Sequence, residues 1–131
     1  MNSLVEVKVI SAKKGKGIIA KEFIKKGTIL DVAHIILVSK KDYEQMKDTV
    51  LWNYLFEWDD PKLKGENEYA LAFSICQFLN HSYNPNIKYE YDYENSTITF
   101  IAIKDISKEE ELIVNYNGNC NDNGPMWFEV E

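Results

Sequence analysis

Residues 78–86 read FLNHSYNPN and follow a largely apolar segment. The stretch places three asparagines, one histidine and one serine at the edge of what its neighbours predict to be a hydrophobic core. So many hydrogen-bonding side chains in nine residues are typical either of a capped turn or of a binding site. A serine hydrolase is not indicated, because adjacent His and Ser residues rarely form a nucleophile–base pair and the chain has no G-x-S-x-G elbow.

The segments around this stretch predict a mostly β fold with short helices. Apolar alternation and turn residues predict strands at 5–9, 18–20, 32–38, 88–93, 97–103 and 111–116. Residues 51–58 are ambiguous and favour a strand, whereas the apolar residues 71–79 favour a short buried helix. Ser39 followed by Asp42 is typical of a helix start, so a helix is predicted over residues 40–48.

Residues 88–103 are predicted to form a β-hairpin. Tyr89, Tyr91 and Tyr93 alternate with polar residues, and the polar residues 94–96 provide the turn before the returning strand.

Two further features stand out, one towards each end of the chain. Gly15-Lys16-Gly17 lies between two predicted strands, and residues 110–116 (EELIVNY) form an apolar strand that ends in Tyr116. Taken alone, the glycines also fit an ordinary hairpin turn, and Tyr116 fits a core aromatic whose hydroxyl reaches the surface.

The length and charge of the chain restrict the number of domains and the kinds of partner that it can bind. The 131 residues fit one domain, and 15 Lys with no Arg against 21 acidic residues give a net charge of −6. An acidic chain without arginine is a poor candidate for binding nucleic acid and suits a basic partner better. Acidic residues cluster between Glu57 and Glu68, which is typical either of solvated loops or of a rim for a basic peptide.

Cysteine content and targeting signals add further limits. Cys76 and Cys120 are far apart, so neither a disulfide framework nor a zinc finger is expected. The N-terminal residues do not resemble a signal peptide, and no apolar stretch approaches the length of a membrane span. The expected location is intracellular, in the cytoplasm or nucleus, with no membrane partner.

The three features together, in this order, resemble the SET-domain family of protein-lysine methyltransferases. Residues 15–17 resemble the family's G-x-G motif, residues 78–86 its F-I-N-H-S-C-x-P-N motif, and residues 110–116 its E-E-L-x-x-x-Y motif. The resemblance runs from about Val5 to the C-terminus and is greatest to the minimal viral and bacterial SET proteins. It implies a single SET domain over residues 1–131, with the β-clip SET fold of several small sheets around a knot-like core.

The resemblance implies a function as well: methyl transfer from S-adenosyl-L-methionine to a lysine in a basic protein segment, such as a histone tail. Tyr116 is the expected catalytic tyrosine, and Tyr89 is expected to line the substrate lysine channel with it. The expected cofactor-binding residues are Lys14, Gly15, Lys16, Gly17, Asn80, His81, Trp127 and Glu131. The tail, residues 117–131, is expected to complete the cofactor site, with Trp127 against the adenine ring.

The chain departs from the family pattern at several positions. Tyr83 replaces a cysteine and Gln77 an arginine, and no channel tyrosine is evident near Ala33 and His34. Many relatives end in three zinc-binding cysteines, whereas only Cys120 lies in this tail, so no metal is expected. Two alternative functions stay open: a catalytically weak or inactive SET-like domain that binds cofactor or peptide, and a purely structural β domain. Pairing of two copies into a homodimer also stays open.

Overall fold

The computed structural model describes residues 4–63, 69–118, 121 and 123–126. These residues contain nine strands, one α-helix and two 3-10 helices. In chain order they are β1 (Val5–Ser11), β2 (Gly15–Ala20), β3 (Ile29–Val38), α1 (Lys40–Met46), a 3-10 helix (Val50–Tyr54), β4 (Leu55–Glu57), β5 (Tyr69–Phe73), a second 3-10 helix (Ile75–Phe78), β6 (Asn80–His81), β7 (Ile87–Asp92), β8 (Thr97–Ala102) and β9 (Glu111–Val114).

The strands form a curled sheet in the order β1-β2-β9-β7-β8-β3-β5-β4, and β6 pairs with β9 off this path. Strand β9 therefore lies between the β1–β2 hairpin and the β7–β8 hairpin. It is antiparallel to β2 but parallel to β6 and β7. The predicted mostly β architecture is confirmed, and the strand before Tyr116 runs beside Asn80 and His81.

The curled sheet encloses one hydrophobic core. Its fully buried large side chains come from both halves of the chain and include Ile18, Ile24, Trp58, Ile87, Ile98, Phe100, Ile106 and Leu112. Because contributors so far apart in sequence share one core, burial of apolar surface holds the short strands together.

The segments with clear alternation or a helix-capping residue were predicted correctly. Strands β7 and β8 pair antiparallel, with Tyr89 opposite Phe100, and Asp92 Oδ1 accepts a hydrogen bond from Asn95 N in the turn (3.0 Å). Helix α1 begins at Lys40 as predicted, because the Ser39 hydroxyl caps it by accepting a hydrogen bond from Asp42 N (3.1 Å).

Several segment predictions were wrong. The apolar residues 71–79 do not form a buried helix: β5 pairs with β3 and β4, and the 3-10 helix Ile75–Phe78 follows. The apolar run is buried by strand pairing, in which Ala70 and Ala72 face the core. Residues 51–58 divide between a 3-10 helix and β4, and Gly15 and Gly17 lie within β2 while the turn occupies residues 12–14.

Asn86 is the last residue of the central stretch, residues 78–86, and joins that stretch to β9. Its side chain is 4% exposed. Its Nδ2 donates hydrogen bonds to Glu110 Oε2 (3.1 Å) and to the Glu111 carbonyl (2.9 Å), and its Oδ1 accepts one from Ile113 N (2.8 Å). The backbone N–H of Asn86 also donates to the Ile113 carbonyl (3.1 Å). These bonds extend the short parallel contact between the start of β7 and β9, which pairs only Ile87 with Val114.

Among the described residues, no helix combines the length and apolar character needed to cross a membrane.

Asn86→Ala should lower the free energy of unfolding by about 2–3 kcal/mol, because it leaves buried backbone groups of β9 without their side-chain partner. The matched control is Asn84→Ala, two residues away at an exposed position where Oδ1 accepts a hydrogen bond from Lys104 Nζ (2.7 Å). The control should change stability by no more than about 0.5 kcal/mol. Urea unfolding followed by tryptophan fluorescence measures both, and equal losses would contradict the assigned role of Asn86.

Candidate functional site

A cleft of about 1120 Å³ collects residues from both ends of the described chain. Of the residues that the sequence predicts for the site, the structure brings together in its lining Lys14, Gly15, Lys16, Asn80, His81, Tyr89 and Tyr116. Gly17 lies behind the lining, and Trp127 and Glu131 lie outside the described residues.

Glu111, at the start of β9, connects two of the predicted motifs. Its Oε1 accepts a hydrogen bond from Lys14 Nζ (2.9 Å), and its Oε2 accepts one from Asn80 Nδ2 (2.8 Å). Asn80 Nδ2 also donates to the Lys16 carbonyl (3.2 Å). A Cβ atom on Gly17 would lie 2.6 Å from Asn80 Nδ2 and 2.9 Å from Glu111 Oε2. It would also lie 2.6 Å from Ile10 Cγ1, so three side chains close in on Gly17 and leave no room for a Cβ there.

His81 is a buried, neutral hydrogen-bond acceptor. It is 4% exposed, and its Nδ1 accepts a hydrogen bond from the backbone N–H of Tyr116 (3.0 Å). Burial lowers the pKa of His81 below its usual value of 6.5. An imidazole whose Nδ1 accepts a hydrogen bond carries its proton on Nε2, so the Tyr116 contact sets the tautomer.

Tyr116 follows β9 by two residues and is held at both its backbone and its side chain. Its hydroxyl donates a hydrogen bond to the Leu79 carbonyl (2.7 Å), while its ring packs at 5.3 Å from that of His81. Tyr116 is 36% exposed, and its partial removal from water raises the pKa of its hydroxyl to about 12. The hydroxyl therefore keeps its proton at neutral pH.

Tyr89 projects from β7 into an aromatic wall. Its ring meets that of Phe56 edge to face at 5.2 Å and that of Tyr91 at 5.8 Å. Burial raises the pKa of Tyr89 to about 12. A Cβ atom on Gly118, whose φ is +83°, would lie 3.2 Å from the Tyr89 hydroxyl oxygen, so this glycine leaves room for it. The Tyr89 hydroxyl thus faces the turn that follows Tyr116.

The structure adds lining residues that the sequence did not assign. Tyr54 and Phe56 enter the cleft from the 3-10 helix Val50–Tyr54 and from β4, and a charge on Tyr54 would raise the pKa of Tyr116. The density of aromatics in residues 52–58 was the available signal, but that segment was ambiguous between helix and strand. Glu57 and Asp59 follow on the same segment and are exposed carboxylates of the lining.

The described residues hold no group of three or more His, Cys, Asp or Glu side chains placed to bind a metal ion. Cys120 lies outside them.

Comparison with known proteins places these features in a family. The family model for the SET domain matches residues 15–117. A Schizosaccharomyces pombe protein named histone-lysine N-methyltransferase, H3 lysine-37 specific, is 30% identical over 120 residues, which are 91% of this chain and 74% of that protein.

Solved structures show the same fold. A Plasmodium falciparum protein described as a candidate histone methyltransferase superimposes with a TM-score of 0.68 at 21% identity, over 98% of this chain and 100% of that one. A chain of the Chaetomium thermophilum Polycomb Repressive Complex 2, in an autoinhibited conformation bound to S-adenosylmethionine, gives 0.69 at 25% identity. That match spans 88% of this chain and 15% of the other.

The lowered pKa of His81 predicts a loss of stability in mild acid. Below its ordinary pKa of 6.5, the unfolded chain binds a proton at this position that the folded chain does not bind until the pH falls further. The free energy of unfolding should therefore fall as the pH drops from 7 to 5.5, by at most about 1.4 kcal/mol per pH unit from this group.

Urea unfolding at several pH values checks this prediction. His81→Asn, which keeps an acceptor near the position of Nδ1, should flatten the pH slope, whereas His34→Asn at an exposed position should leave it unchanged. The same slope in wild type and His81→Asn would be evidence against it.

Proposed function

The chain belongs to the SET-domain family, and we propose that it transfers a methyl group from S-adenosyl-L-methionine to a lysine side chain of a protein. The observation that carries the proposal is the position of Tyr116. Its backbone N–H is fixed by His81 and its hydroxyl by the Leu79 carbonyl, at a cleft that Tyr54 and Tyr89 also line.

The cleft residues fit the proposed cofactor. Gly15 has a φ of +70°, and no heavy atom lies within 4 Å of where its Cβ would be, so space is open beside the start of β2. Lys14 and Lys16 would hold the cofactor with their backbone, and Asn80 and His81 would bind its polar groups. The Asn80 amide oxygen takes no part in the bonds to Glu111 and Lys16, which both use Nδ2.

The tail is proposed to complete the cofactor site, with Trp127 and Glu131 as its contributors. Residues 123–126 support this role, because Gly124 is hydrogen-bonded to Tyr83, beside His81. When bound, the cofactor supplies a methyl group on a positively charged sulfur, which accepts the electron pair of the leaving bond.

The substrate amine must reach the cleft without its extra proton, since an ammonium has no lone pair to attack with. Removal from water lowers the pKa of a lysine. Tyr54, Phe56 and Tyr89 supply aromatic walls that would exclude water around it. With its pKa raised to about 12, Tyr116 keeps its proton on the hydroxyl, which donates to Leu79. The lone pairs of its oxygen can then accept hydrogen bonds from the amine and from polarised methyl C–H groups. Tyr116 is thereby assigned to positioning, and it does not act as a phenolate base.

The proposed substrate is a lysine within a basic segment. Glu57 and Asp59 are exposed carboxylates at the cleft, and the chain carries a net charge of −6, so a cationic peptide is attracted to this face. A histone tail is one such segment, and the name of the Schizosaccharomyces pombe relative makes histone H3 the first substrate to test.

Tyr116→Phe should reduce kcat by roughly 100-fold, because it removes the hydroxyl that positions the reacting groups. Transfer of labelled methyl groups to histones and to a cell lysate measures the activity, and a thermal shift with S-adenosyl-L-methionine measures cofactor binding. Binding should persist in the variant.

The matched control is Tyr93→Phe, the same chemical change on a ring that packs against Trp58 away from the cleft lining. Its activity should equal that of the wild type. Cofactor binding by the wild type without transfer to any protein would favour a binding module over an enzyme, and no cofactor binding at all would reject both.

Tyr89→Phe should shift the products towards higher methylation states. Loss of the hydroxyl enlarges the space beside the proposed amine position and removes a hydrogen-bonding partner that would hold a less methylated nitrogen. Mass spectrometry of a substrate peptide gives the mono-, di- and trimethyl distribution. Tyr91→Phe, the same change on the neighbouring ring of the same strand face, is the comparison and should shift the distribution less. An unchanged distribution in Tyr89→Phe would remove Tyr89 from the channel assignment.

A further inference from the structure

The carbonyl oxygen of Gly124 is a meeting point between the tail and the central stretch. It accepts a hydrogen bond from the Tyr83 hydroxyl (2.8 Å) and another from Asn117 Nδ2 (3.1 Å). Tyr83 comes from the loop after β6 and Asn117 from the turn after β9. Two donors from separate loops therefore converge on one backbone atom of the tail.

Tyr83 also connects this point to the centre of the site. Its ring meets that of His81 edge to face, with the centroids 4.5 Å apart. His81 in turn accepts the hydrogen bond from the Tyr116 backbone. The attachment of the tail is thus two side chains away from the proposed catalytic tyrosine.

The proline that follows Gly124 restricts the direction of the chain after this attachment point. Pro125 fixes its own φ, so the backbone directly after the anchored carbonyl has fewer conformations than at an ordinary residue. Fixing the Gly124 carbonyl therefore also limits the direction in which the chain leaves towards the rest of the tail.

We propose that Tyr83 is a positioning residue for the cofactor site, whose hydroxyl fastens residues 123–126 beside His81 and so sets where the tail meets the cofactor. This inference rests on the proposed function, since it assumes that the tail contributes to cofactor binding. The hydroxyl acts on cofactor affinity and leaves the chemistry at Tyr116 unchanged, because the Tyr83 ring remains against His81 without it.

The test is Tyr83→Phe, which removes one oxygen atom and keeps the ring. Steady-state kinetics with S-adenosyl-L-methionine as the varied substrate should show KM raised roughly two- to tenfold, the effect of losing one hydrogen bond. The kcat at saturating cofactor should stay within about twofold of wild type, since the bond lies outside the reacting groups.

Hydrogen exchange of peptides covering residues 121–126 should be faster than in wild type, and calorimetry should show the same loss of affinity for S-adenosyl-L-methionine. Tyr93→Phe is the control and should change none of these.

The possible results separate the inference from the function on which it rests. A wild type that binds no S-adenosyl-L-methionine overturns both. A wild type that binds it, with Tyr83→Phe unchanged in KM and in exchange, overturns the role of Tyr83 alone. A fall in kcat with KM unchanged, or a fall in melting temperature that accounts for the lost activity, assigns Tyr83 to the fold and overturns the positioning role as well.

Discussion

The fold depends on one strand, β9, being paired on both sides by segments from distant parts of the chain. On one side it pairs antiparallel with β2 and, further along, parallel with the two-residue β6, and on the other side it runs parallel to the start of β7. Both parallel contacts are short, and parallel pairs cannot be closed by a tight turn. The buried Asn86 makes up for this with side-chain and backbone bonds to β9.

The same strand places the two parts of the site. At its start, Glu111 draws Lys14 and Asn80 together over Gly17, which builds the side assigned to the cofactor. Just after its end, Tyr116 donates hydrogen bonds to His81 Nδ1 and to the Leu79 carbonyl, both in the central stretch. A four-residue strand therefore sets the separation between the cofactor side and the reacting side, and a shift in its register would move both.

The buried side chains of the site favour uncharged forms. Burial lowers the pKa of His81 and raises those of Tyr89 and Tyr116, so all three are neutral near pH 7. The carboxylates of Glu57 and Asp59 are exposed. Carboxylates at the surface can attract a cationic side chain, while the neutral, desolvated interior favours its uncharged amine. That division of charge is what methyl transfer to lysine requires.

The sequence by itself determined the features of the fold that depend on residues close together in the chain, such as hairpins and helix caps. Alternation predicted the β7–β8 hairpin, the Ser39 cap predicted the start of α1, and the many short strand patterns predicted a mostly β fold. The resemblance of three motifs to those of SET domains indicated the family. Tertiary structure alone decided that residues 71–79 divide into a strand and a 3-10 helix, because their burial comes from pairing with β3 and β4. It also brought Tyr54 to the cleft and joined Glu111 to Lys14 across 97 residues of sequence. Contacts of that range follow from how the sheet closes around β9, and no local pattern in the sequence encodes them.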